Sequence, residues 1–358
     1  ACALGLPQGL LHLQYRERLP VSALLGWTRR FLARLALVML VVALCLLWLA
    51  PPFHVVSNAQ AATLALIVPF GVAHLLWRAF VLKTRGVFAY GAVTSLPALL
   101  TLVGIAGLCL VGPPHGFEWI LLGSAALAAT VGAVLMRARS RSAGNSTARV
   151  PARMLWSVSA QTWIQGLMAA LMPALLLSLS AWSGATLADI GVVSLGLQVY
   201  QLFAVLGAYA APMIYDKAAR VAERDTATRD LDALLARVPA LAWLGLAALA
   251  VAGPWLATRA VVSMAAFVVP LTVLTVAGVV SLLVRLLWTL AQARGEIREL
   301  SVQAVWRLAL ACAMTAALVP RVGAAVAIPW VLLVVESLTL ARLAIADKTS
   351  RRAFREPQ

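Results

Sequence analysis

The sequence predicts an all-α, polytopic transmembrane helical bundle of two six-helix halves, the first of them lacking its first helix. Three observations carry that expectation. Of 358 residues, 63% are apolar and 12% are charged, and a globular surface needs roughly twice that share of charge to stay in water. Ten apolar stretches reach the length of a membrane-crossing helix, about 20 residues, and a helix satisfies its own backbone in hydrocarbon. The basic residues, finally, alternate from one side of these spans to the other.

The opening stretch 1–14 (ACALGLPQGLLHLQ) is apolar but too short to cross, and it reads as what remains after a missing first part of the chain. Complete spans follow at 31–50, 60–81, 88–112, 118–136, 154–178, 187–214, 238–257, 261–290, 301–319 and 322–346. Between and around them, Lys and Arg gather in 15–34, 78–85, 137–153, 217–237, 285–307 and 342–358, which hold 27 of the 29. Short loops rich in these residues stay in the cytoplasm, so these sides face inward and only Arg259 and Arg321 face out. The expected location is the cell (inner) membrane, multi-pass, with both ends of the complete spans cytoplasmic. Topology thus explains the net charge of +16. Anionic membrane lipids suffice as its partners, and no nucleic acid is called for.

The domain boundaries follow the same logic. Residues 1–136 form an N-terminal bundle, 137–153 (RARSRSAGNSTARVPAR) a flexible cytoplasmic linker, 154–346 a six-helix C-terminal bundle and 347–358 a cytoplasmic tail. The second long loop, 216–237, mixes charges at spacings such as Asp216 to Arg220 and reads as a solvated surface helix. Two echoes suggest that the halves are repeats. Arg34 to Pro51 and Arg237 to Pro254 are both 17-residue intervals, and LLWRAFVLKTRG (75–86) matches LLWTLAQARG (286–295) in its opening and its Arg-Gly end. Such duplication is common among transporters.

Polar residues inside the spans need reasons, since an ionisable one costs about 2.5–3.5 kcal/mol at the bilayer centre. Arg78 and Arg285 lie near cytoplasmic helix ends, with His74 one turn deeper than Arg78. Two readings stand: arginines snorkelling to headgroups beside a packed histidine, or a cationic lining that attracts phosphate. Arg307 and Glu336 lie at depths where they can meet, as a structural ion pair or as an ion-coupled site, with Glu336 the ion-coupling candidate. Gln161 and Gln165 share a face with Ser157, and Gln198 and Gln201 one with Ser194, beside Tyr200 and Tyr209. These stripes suit either interhelical hydrogen bonding or a sugar-tolerant aqueous path. Asp189 suits a helix N-terminus. Prolines 69, 97, 173, 270 and 329 fall within spans and bend them.

Chemistry motifs are missing. Cys2, Cys45, Cys109 and Cys312 have no metal-ligand spacing, and there is no phosphate-binding Gly loop, HExxH or GxSxG. The expectation is a conduit without cofactor or metal, not an enzyme. A membrane-embedded glycan polymerase or ligase is the alternative from another class, and the external loops are short for it. From 31 to 136 the sole carboxylate is Glu118, at a span edge, so the interior suits an anionic cargo better than a cation.

The run LADIGVVSLGLQVYQLFAVLGAYAAPMIYDKAARVAERD (187–225) resembles the eighth-helix segment of polysaccharide flippases in the multidrug/oligosaccharidyl-lipid/polysaccharide (MOP) exporter superfamily. The opening LGLPQGLLHLQYRERLP resembles that family's second helix, and the Arg-Gly after LLW its fourth and tenth. The resemblance implies a MATE/MOP-like, V-shaped transporter, here covering helices two to twelve of twelve. It further implies flipping of a polyprenyl-pyrophosphate-linked oligosaccharide for cell-surface polysaccharide biosynthesis, with polysaccharide polymerase and export machinery as partners. A drug or cation antiporter of the same superfamily is the runner-up. Family members are thought to hold the pyrophosphate with cavity arginines. None of these matches residue by residue, and Arg78, Arg285 and Arg307 stand as candidates on physical grounds.

Overall fold

The computed structural model describes residues 5–15, 17, 19–48, 57–111, 117–140, 150–221 and 265–353. Every regular element among them is an α-helix: α1 (Leu6–Tyr15), α2 (Val21–Trp48), α3 (Asn58–Arg85), α4 (Val87–Val111), α5 (Phe117–Ser140), α6 (Ala152–Trp182), α7 (Leu187–Val221), α8 (Ala265–Arg294), α9 (Ile297–Val322) and α10 (Ala324–Ala353). Eight of these, α2 to α6 and α8 to α10, are long and apolar enough to cross a membrane, and α7 carries a shorter apolar stretch, Leu187–Phe203. The chain is a multi-pass membrane protein. The expected span at 238–257 lies outside the described residues, as does the expected surface helix beyond Val221.

Helix ends differ from the hydropathy reading for a physical reason. α2 starts ten residues before the predicted 31, just after Pro20, whose carbonyl accepts from the amides of Ala23 and Leu24. Its first turns bury Ala23, Leu24, Leu25 and Thr28 in protein, whereas Leu37, Val38 and Val41 lie more than half exposed, as lipid-facing side chains do. Hydropathy detects the second part and not the first. α3 starts at a full capping box, in which Ser57 Oγ accepts from the Gln60 amide and the Gln60 side chain accepts from the Ser57 amide. Both Arg-Gly sites of the sequence echo follow helix ends: Gly86 (φ 84°) closes α3 and Gly295 (φ 89°) follows α8. A positive φ costs glycine little, so the echo has a backbone cause.

The chain separates into two compact units, 1–163 and 164–358, whose boundary falls inside α6. In the first unit α3 packs against α1, α2, α4 and α5 around Leu10, Leu24, Leu76, Phe80 and Leu155. The short α1, about 15 Å long and unable to span alone, docks on the first half of α6. A Cβ built on Gly9 would stand 2.3 Å from Ser159 Oγ, and Thr162 Oγ1 donates to the Gly5 carbonyl at 3.3 Å. Small residues four apart let helices approach in this way.

In the second unit α8 packs against α7 and α10, and α10 against α9, over a core of Leu176, Leu197, Leu274, Ile328, Leu332 and Val335. Glycines set the α7–α8 spacing. A Cβ on Gly196 would reach 2.3 Å from Leu274, and one on Gly278 2.5 Å from Phe203. That closeness positions the polar groups below.

Candidate functional site

A charged cluster lies in the core of the second unit, and four helices build it. α7 is fixed at its start by Thr186, whose Oγ1 donates to Asp189 Oδ2 at 2.9 Å and accepts the Asp189 amide at 3.2 Å. Asp189 thus sits at a helix N-terminus, in line with its sequence reading. Further along, Val193, Leu197 and Tyr200 form the buried face of α7, while Gln198 and Gln201 are exposed on it. Tyr200 is therefore carried into the core by the same periodicity that carries the two glutamines out.

Arg307 of α9 and Glu336 of α10 form a buried ion pair, Nη2 to Oε1. Tyr200 joins them: its hydroxyl donates to Glu336 Oε1 and accepts from Arg307 Nη2, the latter at 3.0 Å, while Ser281 Oγ of α8 lies 3.2 Å from it. Glu336 is fully buried and Arg307 is 7% exposed. In a low-dielectric interior such a pair stands only when both charges are compensated. Arg285 of α8 is half-buried and within charge-interaction range of Arg307, Tyr200 and Glu336, yet it has no carboxylate of its own. Its stem passes over Gly207 of α7, where a Cβ would come within 2.9 Å of Arg285 Cδ. The cluster so assembled holds two guanidiniums against one carboxylate.

Several polar atoms here are buried without a partner: Arg285 Nε, Arg307 Nε, Gln303 Nε2 and, on the acceptor side, Glu336 Oε2. Gln303 lies one turn before Arg307 on the buried face of α9. Nitrogen donors outnumber the carboxylate acceptor three to one in this set. That balance favours a ligand that accepts hydrogen bonds.

A second polar node fixes α6. Gln165 Nε2 donates to the Ile297 carbonyl at 3.0 Å and to Ser301 Oγ at 3.1 Å, while its Oε1 accepts from Trp288 Nε1 at 3.0 Å and Gln292 Nε2 at 2.6 Å. An amide offers two donors and one carbonyl oxygen with two lone pairs, so this side chain is saturated. It ties α6 to α8 and α9. Gln161, one turn earlier, is half-buried and engaged, and Ser157 is exposed. The expected α6 stripe therefore turns from surface to core along the helix.

In the first unit His74 is 6% exposed with Nδ1 unpartnered, and Arg78 is half-buried one turn later on α3. Glu118 lies in the first turn of α5. The candidate residues thus fall into a charged cluster with Arg285, Arg307 and Glu336, a saturated node at Gln165, a His74–Arg78 pair in the other unit, and exposed Gln198 and Gln201. Tyr200 and Ser281 carry weight that the sequence reading gave them no role for. The Val193–Leu197–Tyr200 spacing is the signal that points Tyr200 inward. Ser281 has no comparable signal, because a lone serine in a span is ordinary.

No protein-family model matches the sequence, and no curated protein matches it significantly. Solved structures do. An outward-facing multidrug resistance MATE family transporter of the MOP superfamily aligns with a TM-score of 0.72 at 15% identity, over 98% of this chain and 85% of that one. A MATE structure in complex with MaL6 aligns at 0.71 and 13% identity, over 98% and 85%. A MOP superfamily transporter from Pyrococcus furiosus, described as having a binding pocket of reverse polarity that suggests a different function, aligns at 0.70 and 14%, over 96% and 84%. Identity this low speaks for architecture alone, and on that ground the chain has the fold of the MATE transporters of the MOP superfamily.

Proposed function

We propose that the protein flips a polyprenyl-pyrophosphate-linked oligosaccharide across the inner membrane for cell-surface polysaccharide biosynthesis, with basic residues of its spans holding the pyrophosphate. The observation that carries this reading is the charge inventory of the spans. Among the described residues Glu336 is the one carboxylate placed well away from the helix ends, and Arg307 already neutralises it. Arg285 and Arg78 have no carboxylate partner among the described residues. A pyrophosphate is the complementary charge, and guanidinium is the donor best shaped for its oxygens. The Pyrococcus furiosus transporter of similar fold is itself described as having a binding pocket of reverse polarity that suggests a different function.

Drug or cation antiport is the second reading, since one solved structure of this fold is described as a multidrug resistance transporter. A cation would need a free carboxylate in the spans, and Glu336 offers only the unpartnered Oε2 of an already paired group.

The test is flipping of a lipid-diphosphate oligosaccharide by reconstituted protein. Arg285→Ala and Arg78→Ala should each lower the rate about tenfold or more, the cost of losing a charged hydrogen bond to cargo. Full activity in both variants would remove the role proposed for these arginines.

A further inference from the structure

One surface of the first unit is built from groups for which cargo transport supplies no role. Trp27 and Phe31 of α2 stack with centroids 5.3 Å apart and planes 5° from parallel. Trp156, near the start of α6, meets both edge-on, at 6.2 and 6.1 Å. Trp156 is 39% exposed, and Trp27 and Phe31 are half-buried. Arginines frame these rings. Arg30 and Arg34 follow Trp27 by three and seven residues, and Arg153 precedes Trp156 by three, spacings that keep each on the face of its ring.

All three arginines are exposed, and neither α2 nor α6 contains a carboxylate. Among the described residues Arg34 and Arg153 have no protein partner, and Arg30 spends only its Nε, on the Gly26 carbonyl of its own helix at 3.3 Å. The same face of α2 then turns apolar. Leu37 and Val41 continue the Trp27–Arg30–Arg34 stripe at three and seven residues beyond Arg34, and they are 63% and 52% exposed. From Trp27 to Val41 the stripe runs from aromatic rings through guanidiniums to bare aliphatic surface.

We propose that the N-terminal ends of α2 and α6 form a binding site for an acidic phospholipid. Its phosphates lie on Arg30, Arg34 and Arg153, its glycerol carbons on the aromatic trio, and its acyl chains along Leu37 and Val41. Rings of this kind sit at headgroup level, and clustered basic residues beside a span select anionic headgroups. Three guanidiniums without internal counter-charge suit a headgroup with two phosphates, the diphosphatidylglycerol class, better than one with a single phosphate.

Native mass spectrometry of the full chain in detergent, titrated with cardiolipin or phosphatidylcholine, tests this. Wild type should retain cardiolipin and not phosphatidylcholine. The triple variant Arg30→Gln, Arg34→Gln, Arg153→Gln should weaken retention about tenfold or more, and the charge-matched triple Arg294→Gln, Arg298→Gln, Arg342→Gln should leave it unchanged. Trp156→Ala should weaken it and Trp156→Phe restore it. Equal loss in the two triples would mean general electrostatics and overturn the site. So would unaltered retention in the first triple, or retention through these arginines of a polyprenyl diphosphate but not cardiolipin. Flipping assays run on the same variants keep this outcome separate from that of the transport reading.

Discussion

Glu336 has two carboxylate oxygens, and protein groups use one of them. Oε1 takes both Arg307 and the Tyr200 hydroxyl, while Oε2 is buried without a partner. Removing one member of such a pair strands the other, so Glu336→Ala should destabilise the protein by about 3–5 kcal/mol, whereas Arg307→Leu combined with Glu336→Leu should recover most of that loss. Thermal unfolding in detergent measures both. A double variant no more stable than Glu336→Ala would mean that the pair shapes the core beyond its charges. Gln165 invites a parallel test, because interhelical hydrogen bonds in membranes average about 0.6 kcal/mol each. With four of them, Gln165→Leu should cost about 2 kcal/mol, and a neutral result would show that α6 is held by apolar packing instead.

The same residues mark how far sequence reasoning reaches. The meeting of Arg307 and Glu336 was readable from their depth in adjacent antiparallel spans. Saturation of Gln165 was not: its partners Trp288, Gln292, Ser301 and the Ile297 carbonyl lie more than 120 residues away, and a stripe of glutamines looks alike whether it lines water or binds helices. Gln198 and Gln201 fell on the exposed side because Tyr200, between them in sequence, faces the core.

Among the described residues, helix existence and order were legible because each span is a long apolar run. The boundaries were less so, since α2 and α3 extend by several residues beyond their apolar parts, where protein contacts and caps replace lipid as the deciding surroundings. What hydropathy cannot express is how closely two helices approach. α5 meets α3 where a Cβ on Gly132 would stand 2.8 Å from Trp77 Cβ, and α8 meets α7 at Gly278 against Phe203. Introducing Leu at either glycine should lower stability by about 1–3 kcal/mol or more through overpacking. Gly123, with no neighbour within 4 Å of a built Cβ, should accept Ala without loss. Melting curves of Gly132→Leu, Gly278→Leu and Gly123→Ala decide it, and similar melting of all three would contradict the close approaches.

At the scale of the whole molecule, each unit packs its own apolar core and each holds guanidiniums within its spans: Arg78 in one, Arg285 with the Arg307–Glu336 pair in the other. An excess of positive charge in a membrane protein is costly to maintain unless something negative uses it. A negatively charged cargo is what that excess calls for. The most direct measurement presents one preparation of reconstituted protein with two cargoes, a fluorescent lipid-diphosphate oligosaccharide and a lipophilic cationic dye, and follows movement of each with and without Arg285→Ala. The diphosphate lipid should be moved by the wild type and not by the variant, and the dye should be moved by neither. Transport of the dye, undiminished by Arg285→Ala and abolished by Glu336→Gln, would contradict it.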